Sequence, residues 1–218
     1  MTHAQPIGYF VHHQGRGHAE RAASIANELA AKRPVTLFCA REDIFPDLVL
    51  GVEVIAIPSL FEPTGREPAA LQSVAMPDIV HCAPLGWETI RKAMATITQW
   101  FARANPALFV TDVSAELGQL ARLCSVPHVA VMQHGTRSDP GHMAAYDSAV
   151  GLLAPYAQSL EQADRPYHLR KKTHYASGVG IDCAAAPSRI AARADLEIAE
   201  DAEIVLVVSG GGGEGTPS

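Results

Sequence analysis

Ile7-Gly8-Tyr9-Phe10-Val11-His12-His13-Gln14-Gly15-Arg16-Gly17-His18 is the stretch that decides how this chain is read. Ile7 to Val11 is a short apolar run with the look of a buried strand. His12 to His18 is a polar turn with two glycines, and from Ala19 a helical pattern begins. Ala22, Ile25, Ala26, Leu29 and Ala30 fall at i, i+3, i+4, i+7 and i+8, one face of a helix. Strand, glycine turn and helix in that order place the turn at the carboxyl end of a strand, where open α/β sheets bind ligands. Gly15 and Gly17 let backbone approach a ligand closely. The helix aims its unpaired N–H groups and positive dipole end at the same place.

The alternation continues outward from that unit. Strands are predicted at Val35 to Ala40, Val52 to Ile57, Leu108 to Thr111, His128 to Met132, Val150 to Ala154 and Tyr175 to Val179. Trp87, Ile90, Met94, Ile97 and Phe101 are spaced 3, 4, 3, 4 and predict a helix ending before Asn105-Pro106. Ala115 to Leu123 predicts another. Apolar strands alternating with helices imply an α/β fold, a parallel sheet covered by helices. Ser59 to Pro84 breaks the pattern with four prolines and little periodicity, leaving room for one helical turn. A stretch of that kind is an acceptor-binding loop or a floppy insertion. Gln133 to His142 reads as a polar loop.

Composition narrows the class. The 218 residues are 48% hydrophobic and 18% charged, enough to bury a core and unlike a disordered chain. Net charge is −6, without the basic balance of a general nucleic-acid binder. Four widely spaced cysteines form no C-x-x-C pair, which signals neither a zinc site nor a disulfide framework and fits reduced thiols in the cytoplasm. No apolar run is long enough to span a bilayer, and peripheral attachment to a membrane surface stays open. His12 and His13 are expected to point opposite ways, as neighbours in a strand do, so no metal centre is expected there. The glycine turn is not a dinucleotide fingerprint. Its third glycine is missing and Glu20 would repel a pyrophosphate.

After Ile181 the composition shifts. Residues 182–203 read as an interdomain linker with a short helix, Ser188 to Ala194. Residues 204–218 read as a new strand, Ile204 to Val208, running into Ser209-Gly210-Gly211-Gly212-Gly213-Glu214-Gly215. A strand and glycine loop there suggest a second α/β lobe that begins and is cut short. A complete one takes roughly 100–200 further residues.

Three segments together resemble a known family. The turn Gln14-Gly15-Arg16-Gly17-His18 is similar to the first turn of GT-B glycosyltransferases, both MurG-like enzymes and small-molecule UDP-glycosyltransferases. Phe109-Val110-Thr111-Asp112, with the helix to Val126-Pro127, resembles a later family segment in which a strand ends in Ser/Thr-Asp. Val207-Val208-Ser209-Gly210-Gly211 resembles the strand and loop that open the second lobe. Arg16 departs from the pattern, standing where a small or aliphatic residue is common.

The resemblance implies a Rossmann-like N-terminal, acceptor-binding lobe over residues 1–181 and a truncated donor-binding lobe after the linker. It implies His18 as the general base, suited by an ordinary imidazole pKa of ~6.5 and by a helix start that disfavours imidazolium. The alternative for His18 is a capping or phosphate-contacting role. Asp112 would orient His18 as the acid of a triad orients its histidine, or would cap the helix at Ala115, a task Ser114 could take instead. Gly15, Arg16, Gly17, His134 and Arg137 would face the acceptor, although His134 and Arg137 could instead touch the donor diphosphate or sit in a merely polar loop, and Arg16 could simply be solvated. Ser209, Gly210, Gly211 and Gly212 would cradle the donor diphosphate, unless they form only a flexible tail. The implied reaction is inverting transfer of a sugar from a nucleotide sugar, in particular a UDP-sugar, to an acceptor hydroxyl, with no cofactor and no metal. The lobe alone would be inactive. A non-hydrolysing sugar-nucleotide epimerase and a non-catalytic binding module of the same fold are the alternatives.

Overall fold

A computed structural model describes residues 4–135, 137–181 and 186–205. The first unit is as the opening stretch requires, with one adjustment. Strand β1 (Ile7–Phe10) is buried throughout, and helix α1 (Arg16–Ala30) begins three residues before Ala19, its expected start. Gly15, at φ 91°, makes the turn alone. Gly17 and His18 therefore lie in the first turn of the helix and not in a loop before it.

Strands β2 (Val35–Cys39) and β3 (Val52–Ala56) follow, then α2 (Ala69–Gln72), the single turn inside the long excursion, and α3 (Glu88–Ala104). Asn105, at φ 46°, ends α3 in a left-handed cap. Then come β4 (Leu108–Asp112), α4 (Ala115–Leu123), β5 (His128–Val131), α5 (Pro140–Ser148), β6 (Gly151–Ala154), α6 (Tyr167–Lys171), β7 (Thr173–Tyr175) and α7 (Arg189–Asp195). Two elements differ from the sequence expectation. The predicted loop from Gln133 stops at Asp139, where Asp139 caps α5 with Pro140 in its first turn. The last strand ends at Tyr175 instead of beginning there, because the chain turns away through Gly178 and Gly180, both at positive φ.

Among the described residues, seven strands form one parallel sheet in the order β3-β2-β1-β4-β5-β6-β7. The chain winds outward one way from β1 and the other way from β4. The switch point of the sheet is thus the crevice between β1 and β4, the place where such sheets bind ligands. One face packs on α3 through Phe38, Ile97, Trp100, Phe101 and Phe109, and the other on α1 through Tyr9, Ala22, Ala26, Leu37 and Val110. Gly8 makes the first packing close. A Cβ there would lie 2.7 Å from the Phe109 ring and 2.8 Å from that of Trp100.

The excursion is tied down rather than loose. Leu60 is buried, the His81 and Cys82 amides both donate to Glu116, and the Gln119 side chain donates to the Ile79 carbonyl. Among the described residues, no helix is long and apolar enough to cross a membrane. Leu206 to Val208, Ser209, Gly210, Gly211 and Gly212 lie outside the described residues, so most of the expected second-lobe strand and the diphosphate loop fall there.

Candidate active site

Two strand ends meet at the switch point. β1 delivers the His12 to His18 segment and β4 delivers Asp112, since Phe10 and Thr111 are in register. The Asp112 side chain is fully buried and that of His18 is 19% exposed, with His18 Nδ1 3.2 Å from Asp112 Oδ1. Ser114 caps α4, accepting from the Leu117 amide at 3.2 Å, which leaves the Asp112 carboxylate to the crevice. Between them Val113 sits at φ 74°. That is a strained conformation for a β-branched residue, and such strain gathers at functional sites.

A third group, missed by the sequence reading, completes the cluster. Arg21 Nη2 donates to both Asp112 oxygens, at 2.9 and 2.8 Å, and lies 3.0 Å from His18 Nδ1. Its signal was present in the spacing, because residues i and i+3 share a helix face. Gly180 helps hold it. A Cβ at Gly180 would come within 2.9 Å of the Arg21 backbone, so only glycine lets the 178–181 turn lie against α1 there.

The histidine pair is a correction. His12 and His13 stack at 5.3 Å with rings 5° from parallel, instead of pointing apart. Strand pleating ends at Phe10, and His13 already lies in the bend, so alternation no longer applies. His12 also stacks on Phe61 at 4.4 Å and accepts from the Gln14 amide through Nδ1. Burial, then the neighbouring His18 and His13, lower its pKa to about 4 and keep it neutral. His13 Nε2 lies 3.0 Å from Glu62, whose carboxyl is held below its usual range chiefly by that hydrogen bond. Phe61 and Glu62, on the excursion, thus wall the site, and nothing in their local sequence marked them.

The residues expected to face an acceptor are divided. Gly15 and Arg16 line a cleft of about 370 Å³ with His13, Arg41, Asp43 and Phe45. The Arg16 side chain is 88% exposed and 3.6 Å from Glu20. Gly17 faces open space, with nothing within 4 Å of where a Cβ would stand. Arg137 donates to Gln133 at 2.8 Å, and both line a narrow pocket at the ends of β4 and β5 with Val113, Ser114 and His142. His134 packs edge-on to Tyr156 at 5.7 Å. Among the described residues, one group has metal-ligand spacing, His81, Asp139 and His142. It lies outside the His12 to His18 segment.

No family model matches the sequence, and no curated protein matches it. Solved structures do. The Phytolacca americana UGT2 complexed with UDP-2fluoro-glucose and pterostilbene is 15% identical, with 81% of this chain and 55% of that chain covered and a TM-score of 0.51. Acinetobacter baumannii MurG is 12% identical over 73% of this chain and 44% of that one, with a TM-score of 0.45. A UDP-N-acetylglucosamine 2-epimerase is 14% identical over 73% and 46%, with a TM-score of 0.44. The chain spans about half the length of these proteins. At such identities the likeness is one of fold. With its single parallel sheet divided at β1 and β4, the chain has a Rossmann-like, GT-B glycosyltransferase-like fold.

Proposed function

We propose that this chain is the acceptor-side lobe of an inverting glycosyltransferase that uses a nucleotide sugar, in particular a UDP-sugar. The observation that carries the reading is the His18–Asp112 contact at the switch point of the sheet. In the proposed step His18 Nε2 takes the proton of an acceptor hydroxyl while the oxygen forms a bond to C1 of the sugar. The C1–oxygen bond to the nucleoside diphosphate breaks, and that group leaves with the electron pair. One base and one displacement give inversion.

The tautomer decides whether His18 can do this. A guanidinium has donors only, so against Arg21 the His18 Nδ1 must accept, which puts the ring proton on Nε2. Against Asp112 the Nδ1 must carry the proton and donate it, which frees the Nε2 lone pair. The second arrangement is the base. Asp112 then stabilises the imidazolium that forms, as in triad chemistry. Because Asp112 is fully buried, it can orient His18 but has no edge with which to reach a substrate.

In the protein that carries the donor lobe as well, we expect His18→Ala to lower turnover by roughly 10²–10⁴-fold with nucleotide-sugar binding little changed. A rate unchanged within about threefold would overturn the proposed base.

A further inference from the structure

We propose that His81, Asp139 and His142 form a binding site for a divalent transition-metal ion of the zinc class. The residues come from two segments: His81 from the long excursion, and Asp139 and His142 from the cap and first turn of α5. Their ligand atoms lie within 4.8 Å of one another. His81 Nδ1 is 3.3 Å from Asp139 Oδ1, and His142 Nδ1 is 2.7 Å from Asp139 Oδ2. Zinc bonds of ~2.0–2.1 Å in tetrahedral geometry place adjacent ligand atoms about 3.3–3.4 Å apart. The first distance already matches. The second, to the other carboxylate oxygen, is a hydrogen-bond distance that would lengthen when an ion replaces the shared proton. Two imidazoles and one carboxylate suit zinc and its neighbours better than magnesium or calcium, and leave a fourth position open.

His81 is fixed from outside the trio, and Asp139 and His142 by their places at the start of α5. His81 is held by its own amide and that of Cys82, which donate to Glu116 at 2.8 and 2.6 Å. Glu116 is itself buried. Asp139 is held as the cap of α5, its Oδ1 accepting from the His142 amide at 3.2 Å. The His142 side chain is 7% exposed, and its ring meets that of His81 edge-on at 4.1 Å. Gly141 allows this convergence, because a Cβ there would stand 2.8 Å from the His81 nitrogen and 3.0 Å from its Cβ. An ion at this point would clamp the excursion to α5. It would also fix the wall of the pocket that His142 shares with Arg137 and Ser114. None of the three ligands takes part in the proposed His18 chemistry, so this site stands or falls by itself.

The test is a titration of the chelator-stripped full chain with Zn²⁺ against a chromophoric chelator, with Co²⁺ absorption as a report of geometry. We expect one equivalent bound, with the visible bands of four-coordinate cobalt. His81→Ala and Asp139→Asn should each weaken binding by more than about 100-fold, beyond the ~10–100-fold that loss of an outer partner costs. Gly141→Ala, which displaces His81 but removes no ligand, should weaken it about tenfold. His18→Ala should bind as the parent does. No saturable Zn²⁺ binding, or binding unchanged in both His81→Ala and Asp139→Asn, would overturn the proposal.

Discussion

Arg21 and Asp112 set the terms for every other group in the crevice. The carboxylate is wholly buried and the guanidinium nearly so, and one Nη2 serves both oxygens. Removing one member of such a pair leaves a charge without compensation, at a cost of about 3–5 kcal/mol. We expect Arg21→Met to lose that much in urea unfolding, and Arg21→Met with Asp112→Leu to recover a large part of it. A single-variant loss below about 1 kcal/mol would mean that Arg21 is not what anchors Asp112. His18 and Asp112 were both legible in the sequence, since each ends a recognisable strand or opens a recognisable helix. Arg21 was overlooked: its i, i+3 spacing puts it on the His18 face of α1, but only β4 brought beside that face gives it Asp112 as a partner.

At the scale of elements, glycine positions separate packing from access. Gly8→Ala drives a methyl group into Phe109 and Trp100 where β1 meets α3, and should cost about 1–3 kcal/mol by overpacking. Gly17→Ala should do the reverse. Its methyl meets nothing within 4 Å, and replacing a first-turn glycine should stabilise, by no more than the roughly 0.5–1 kcal/mol of a mid-helix site. If a ligand approaches α1 at Gly17, the same variant should weaken its binding even as thermal stability rises. The parallel strands, α1, α3 and α4 were readable because each carries an apolar run or stripe. Helix α5 was missed for a physical reason: Met143, Ala144, Ala145 and Tyr146 are consecutive and make no stripe. The cap Asp139-Pro140 was the available signal, and the glycines and polar residues before it obscured it.

Across the whole molecule, acid sensitivity should trace to buried imidazole. His128 in β5 is 1% exposed, under α4, with Nε2 2.7 Å from the Thr111 hydroxyl. Burial, then the charge of Lys172, lowers its pKa from 6.5 to about 4. Between those values the unfolded chain binds a proton that the native state refuses. The stability His128 contributes is therefore complete above pH ~6.5 and is lost as pH falls towards 4, about 3 kcal/mol in all. His12 works in the same direction. Urea unfolding at pH 7, 5.5 and 4 should show that decline in the parent and a flatter one in His128→Gln. An equal slope in both would place the acid sensitivity elsewhere.

The strand order has one more consequence, for the time at which the site comes into being. β1 lies between β2, which follows it closely, and β4, which arrives only after the excursion and α3. Arg21 and Asp112 are 91 residues apart. A ribosome releasing the chain in order has the histidine turn and the whole of α1 outside long before the carboxylate emerges. Until then β1 has one open edge, and Arg21 has no Asp112 to bind. Closing so large a loop is slow, so the crevice should form in one late step and not be built up gradually. Pulsed hydrogen exchange during refolding should find the β1–β2 amides protected before those joining β1 to β4.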